Sequence, residues 1–246
     1  MTRTKRLRPS QRTYPARLFF IAGTSRGIGI AVAVALVKAG ASFIGLGARG
    51  SLVKAKEVLD TAKAAGEAVP TIAAVELDVT NTTSVDAAVE KIEKSFRRLD
   101  ILINNARWLE LSVPIHSSIQ IYSRRATKLT CEAFISPLEL SYFHCSRHQD
   151  GCARQILNLT SIGVHMLLPA MSAYNTAKLV TCRFTEYTAF EYADQDILAM
   201  AVHLGVRQVC GLVCQRSCTW VGKDLLPALG WGSNVLLTCL CNVGSN

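Results

Sequence analysis

The sequence predicts an α/β fold, a doubly wound parallel sheet in a single domain, and three observations carry that expectation. Short apolar runs alternate with longer helical stripes at about thirty residues per unit, the spacing of βαβ repeats. The first apolar run leads straight into a glycine-rich turn and then a helix. At 246 residues, half of them apolar and only 18% charged, the chain is large enough to bury a full core and a ligand cleft.

The elements follow in order. Leu18–Ala22 is uninterruptedly apolar, as expected for a strand covered on both faces. Ile28–Ala39 reads as an apolar helix closed by Gly40. Ser42–Leu46 is a second strand, and Leu52–Ala65 is a helix with Leu52, Ala55, Leu59 and Ala62 on one face and Gly66 past its end. Thr71–Leu77 is a third strand. Thr83-x-x-Asp86 has the form of a helix-opening cap, and Val85, Ala88, Val89, Ile92 and Phe96 make the stripe behind it. Ile101–Ile103 is a fourth strand, and Gln155–Leu159, the helix Ala173–Ala193 and the strand Ile197–Val202 continue the series. Two windows lack this pattern: Arg107 to Asp150 contains no glycine, and Val206 to Asn246 has weak periodicity with frequent cysteine and glycine. There is no internal repeat and no linker, so residues 18–246 are expected as one domain.

The net charge of +9 suggests nucleic acid until it is located. Residues 1–56 hold eleven Lys/Arg and no acid, whereas residues 57–246 hold sixteen against all eighteen acids, a balance of −2. The excess belongs to the N-terminal stretch, and residues 1–17 read as a basic, disordered tail rather than a presequence, because Pro9 and Pro15 interrupt any amphipathic helix there. A nucleic-acid partner is therefore not expected. Neither is a membrane, since no apolar run approaches spanning length, and the expected location is cytoplasmic. Nine cysteines all lie from Cys131 onward. Cys210, Cys214 and Cys218 would share a helix face, but that spacing does not match a zinc site, so no metal is expected and the cysteines read as buried, reduced thiols.

The chemistry sits in the turns. Gly23-Thr24-Ser25-Arg26-Gly27-Ile28-Gly29 joins the first strand to the first helix, where glycines let the backbone approach a pyrophosphate and the helix start offers free N–H groups. Gly23, Ser25, Arg26, Gly27, Ile28 and Gly29 are the candidate cofactor contacts of this turn. An acid about twenty residues further on would bind the ribose hydroxyls of NAD, but Arg49 stands there, and Arg26 adds a second cation. Two guanidiniums favour a 2′-phosphate, so the expected cofactor is NADP. Tyr174 and Lys178, at i and i+4, share a helix face, and Ser161 lies thirteen residues upstream at the end of a strand. A tyrosine titrates at about 10 and needs help to exchange a proton at neutral pH. A neighbouring ammonium supplies that help by favouring phenolate.

On these residues the chain resembles the short-chain dehydrogenase/reductase family, over about residues 18–106 and 154–203. The matching motifs are Gly23, Gly27 and Gly29; Leu77-Asp78-Val79; Asn104-Asn105-Ala106; and Ser161, Tyr174 and Lys178. The resemblance implies a Rossmann-type fold, with Asp78 and Val79 flanking the adenine and Asn105 and Ala106 lining the cofactor. It implies Ser161, Tyr174 and Lys178 as the catalytic set, Lys178 also holding the nicotinamide ribose. The implied activity is hydride transfer between NADP(H) and a small-molecule carbonyl or alcohol, and a homo-oligomer is compatible with it. The chain also departs from the family pattern. Arg107 follows Asn-Asn-Ala where glycine is usual, no Asn lies between Asn105 and Asn158 to serve as the family's relay residue, and His203-Leu204-Gly205 replaces Pro-Gly. These departures keep a second reading open, a dinucleotide-binding protein of the same fold with impaired or no catalysis.

Overall fold

The computed structural model describes residues 17–50, 69–96, 98–106, 154–167, 169–195 and 197–203, with residues 58, 60 and 64 and the backbone of 238–239. The expected basic tail, residues 1–17, lies outside them except for Arg17, as do the window 107–153 and all the cysteines except Cys182 and Cys239.

The elements are β1 (Leu18–Ala22), α1 (Ile28–Lys38), β2 (Phe43–Ala48), β3 (Thr71–Glu76), α2 (Thr82–Phe96), β4 (Ile101–Asn104), β5 (Arg154–Leu159), α3 (Ser172–Glu191), β6 (Ile197–His203) and β7 (Thr238–Cys239). Between β2 and β3, residues 58, 60 and 64 are helical, as the apolar face of that stretch predicts. The strands form one sheet in the order β3-β2-β1-β4-β5-β6-β7. The first six are parallel. The last is antiparallel, pairing Val202 with Cys239 and His203 with Thr238. The expected parallel, doubly wound sheet is therefore present, with one antiparallel edge strand from a stretch whose sequence carries no readable period.

Strand residues alternate between two cores, one on each face of the sheet. Phe19, Ile21, Ile103, Leu157 and Val202 face one side, where Val32 and Leu36 of α1 and Val58 cover them. Leu18, Phe20, Leu102, Ile156 and Ala199 face the other, under Val85, Ala88 and Ile92 of α2, with Ala189 and Tyr192 packed alongside. Phe20 shapes β2: a Cβ at Gly45 would overlap its ring, and one at Gly47 would lie 3.0 Å from it. The glycines of β2 thus belong to the core as well as to the approach to Arg49.

Boundaries move by a residue or two. β2 runs on to Ala48, because its pairing with β3 continues through Ala48↔Glu76. The opening of α2 is set by Asn81 rather than by a Thr83–Asp86 box: Asn81 Oδ1 accepts from Ser84 N at 3.2 Å and the Asn81 carbonyl from Val85 N at 3.0 Å. Asparagine is as good a cap as threonine, and it comes two residues earlier.

The order of strands positions the site. The chain leaves β1 toward β2 and β3 on one side, then returns to place β4 on the other flank of β1. β1 is followed by β2 on one side and β4 by β5 on the other, so the strand order reverses between β1 and β4. Open α/β sheets form a crevice at such a place, beyond the C-terminal ends of their strands.

Candidate active site

Gly23 and Thr24 begin the turn beyond β1, and both are tied to the end of β2. The Gly47 carbonyl accepts from Gly23 N at 2.8 Å, Thr24 N at 2.9 Å and Thr24 Oγ1 at 3.1 Å. Gly23 has φ 86, a region costly for other residues, and a Cβ there would lie 2.7 Å from the backbone of Ala106. Asn105, buried after β4, donates from Nδ2 to the Gly23 carbonyl at 2.7 Å, and its backbone N–H reaches the Ala22 carbonyl at 3.2 Å. Gly29 makes room for this contact: a Cβ would overlap the Gly23 carbonyl and lie 2.8 Å from Asn105 Nδ2. Ser25, Arg26 and Gly27 are exposed at the rim, and Ile28 and Gly29 open α1. Gly27 also has positive φ, 62, with open space where a side chain would stand. The helix start has no side-chain cap and no acid in its first turn, so its amides and positive dipole end face outward.

Arg49 is exposed immediately after β2, at the same sheet edge. Asp78 and Val79 follow β3. Asp78 Oδ1 accepts from Thr80 N at 2.9 Å and Thr80 Oγ1 at 2.7 Å, while its own N–H donates to Ser84 Oγ at 2.9 Å. This Asx-type turn fixes the loop beside the buried Val79.

Ser161 lies two residues beyond β5 and caps a 3-10 turn over Ile162–His165, its Oγ accepting from Gly163 N at 3.1 Å. A hydroxyl that accepts there keeps its own hydrogen to donate. Tyr174 and Lys178 lie in the first two turns of α3, both partly buried. Lys178 Nζ donates to the Leu159 carbonyl at 2.6 Å, which holds this end of α3 against the end of β5. Thr160 Oγ1 adds a 3.2 Å bond to the Lys178 carbonyl. The candidate cofactor and catalytic residues therefore gather at the C-terminal edge of the parallel strands β1–β5.

Other residues support the site, and of them only Asn104 belongs to the motif pattern. Asn104 Nδ2 donates to Asn158 Oδ1 at 2.7 Å, Asn158 Nδ2 to Thr185 Oγ1 at 2.9 Å, and Thr185 Oγ1 to the Thr181 carbonyl at 2.8 Å. Asn158, Thr181 and Thr185 are all 0% exposed, so this is a dry polar seam fastening α3 to β4 and β5. Polar residues inside otherwise apolar strands were the available clue. Cys182 is a buried free thiol whose pKa burial raises, against a smaller opposing effect of the Thr160 hydroxyl 3.2 Å away. It is therefore a neutral thiol at physiological pH. His203, buried at the end of β6, has its pKa lowered by burial and by nearby His165.

A parallel sheet with this strand order and a glycine turn at its crossover defines a dinucleotide-binding α/β fold. The family model described as short chain dehydrogenase matches residues 17–210, and the chain belongs to that family of oxidoreductases. Short chain dehydrogenase mpl6 of Monascus purpureus is 40% identical over 197 residues, covering 77% of this chain and 64% of its own length. The 3-oxoacyl-(acyl-carrier-protein) reductase of Synechocystis is 29% identical over 195 residues, covering 77% and 74%. Among solved structures, gluconate 5-dehydrogenase from Burkholderia cenocepacia, in complex with NADP and tartrate, has a TM-score of 0.66 at 22% identity, covering 78% of this chain and 72% of that one. Carveol dehydrogenase from Mycobacterium avium, in complex with NAD, also has a TM-score of 0.66, at 20% identity, covering 76% and 70%. At those identities the structures share the fold. The chain spans about 64% of the length of the Monascus relative. Among the described residues, no helix is long and apolar enough to cross a membrane.

Proposed function

We propose that this chain is an NADP-dependent oxidoreductase acting on a carbonyl or alcohol, with Tyr174 as proton donor and residues 18–246 as one catalytic domain. The observation that carries the proposal is the convergence of the glycine turn with Ser161, Tyr174 and Lys178 at one edge of the sheet, the last fastened to β5 through the Leu159 carbonyl.

The turn suits a dinucleotide: Gly27 leaves open space at the rim, and the uncapped start of α1 offers N–H groups to a pyrophosphate. Asp78, Val79, Asn105 and Ala106 would line the adenine and ribose portions. Solved relatives of this fold include one in complex with NADP and one with NAD, so the choice falls to side chains at the end of β2. Arg49 and Arg26, exposed on the same rim, favour the 2′-phosphate through charge-assisted pairs.

When bound, the cofactor supplies or accepts the hydride. In the reducing direction Tyr174 gives its phenolic proton to the carbonyl oxygen, and Ser161 donates a hydrogen bond to that oxygen as negative charge develops. Lys178 stabilises the phenolate left behind, and by the family resemblance it also holds the nicotinamide ribose. Oxidation runs the same proton path in reverse.

The second reading, a binding protein without turnover, draws on Arg107 after Asn105-Ala106 and on the absence of any Asn from residue 106 to 157. NADPH consumption against a panel of aldehydes and ketones separates the two. Turnover of at least one carbonyl with equimolar alcohol formation supports the enzyme. Saturable NADPH fluorescence with no turnover across the panel supports the binding protein.

A further inference from the structure

Ser161 and Tyr174 belong to different elements, and the segment between them contains no long helix or strand to fix their separation. Ala170 in that segment adopts φ 61, a conformation that a residue with a side chain keeps only when its surroundings hold it. Across this segment Asn175, next to Tyr174 on α3, contacts both ends of the turn that Ser161 caps. Its Nδ2 donates to the Met166 carbonyl at 3.1 Å, gripping the far end of the Ser161 turn. Its Oδ1 is buried with no hydrogen-bond partner and sits on Gly163, where any Cβ would overlap it and come within 3.1 Å of Asn175 Cγ. Gly163 N in turn donates to Ser161 Oγ. A buried amide oxygen without a partner is unfavourable and needs a reason to persist. Here the same carboxamide is wedged between both ends of the turn.

We infer that Asn175 is a positioning residue that sets the separation of the Ser161 and Tyr174 hydroxyls, with Gly163 as its socket. The inference rests on the oxidoreductase reading above, in which both hydroxyls must reach one substrate oxygen. A displacement of about 1 Å between such groups costs on the order of 10²-fold in rate, so a loosened Ser161 should lose most of its contribution.

The test is a double-mutant cycle on the full chain, with thermal melting and NADPH fluorescence read beside kinetics. Asn175→Ala is expected to keep NADPH affinity within about twofold and to lower kcat by roughly tenfold or more. Ser161→Ala should cost far less in the Asn175→Ala background than alone, because the hydroxyl is already misplaced; a scaffold role would leave the two effects multiplicative. Gly163→Ala should lower Tm and turnover, and adding Asn175→Ala should restore Tm by removing the overlap. If Asn175→Ala does not fold, Asn175→Ser, too short to grip Met166, is read by the same criteria. An unchanged kcat, multiplicative effects or a harmless Gly163→Ala overturns the inference while Tyr174→Phe still reports on the parent reading. Absence of carbonyl turnover in the unmodified protein overturns both.

Discussion

The turn after β1 and the turn after β5 solve the same packing problem and put different chemistry at the surface. Each contains a glycine whose missing side chain admits an asparagine carboxamide, Asn105 over Gly29 and Asn175 over Gly163. In each, that amide donates to a carbonyl of the turn, Gly23 in the first and Met166 in the second. The first turn bends through Gly23 and Gly27, both at positive φ, and leaves backbone N–H groups outward. The second bends as a 3-10 turn and presents the Ser161 side chain. Backbone amides suit a phosphate group shared by many ligands; a side-chain hydroxyl suits one reacting oxygen. The comparison predicts that damage to the first turn is felt in cofactor binding and damage around the second in turnover.

The largest expected effect is on the catalytic side. Tyr174→Phe removes one hydroxyl and keeps the ring, so turnover should fall by about 10²–10⁴-fold while NADPH affinity hardly changes. A carbonyl reductase whose rate ignores this substitution would place the chemistry elsewhere. On the cofactor side, Gly29→Ala forces a methyl against the Gly23 carbonyl and Asn105. Overpacking of this kind costs about 1–3 kcal/mol, so NADPH titration should show a loss of tenfold or more, with a lower Tm. Unchanged affinity in the folded variant would break the contrast between the two turns.

Arg49→Asp sharpens the first turn's role by separating phosphate binding from selectivity. Losing a charge-assisted pair worth about 1.5–3 kcal/mol should cut the NADPH-over-NADH preference roughly tenfold or more. Equal affinities for the two cofactors in the unmodified protein would remove the basis for NADP.

The smallest effect concerns His203, which ends β6 beside the second turn's strand. Burial keeps its pKa below the ordinary 6.5, so the unfolded chain binds this proton more readily than the folded one. Stability is then complete above about pH 6.5 and declines as pH falls from there through the folded-state pKa. Melting between about pH 7 and pH 5 should show a decline of a few degrees, flattened in His203→Gln. An identical profile in the variant would assign the decline to other groups.

What the sequence determined by itself is the architecture and the inventory of chemical groups. Uninterrupted apolar runs require strands covered on both faces, as Leu18–Ala22 is, and local spacing alone put Tyr174 and Lys178 on one helix. The glycines of the first turn were legible because positive φ and close approach exclude other residues. The tertiary structure alone decided which groups meet. Asn105 and Gly23 are 82 residues apart, and their contact exists because the chain returns β4 to the flank of β1. That Gly45 and Gly47 make room for the Phe20 ring is seen only once β1 and β2 are paired. The antiparallel β7 is specified by its pairing to Val202 and His203 rather than by any period of its own. The partners of Asn175 and Asn158 were not legible, because a hydrogen bond to a distant carbonyl or threonine leaves no local pattern. Periodicity records what one element buries, whereas a site depends on distances between elements, which only the packed sheet fixes.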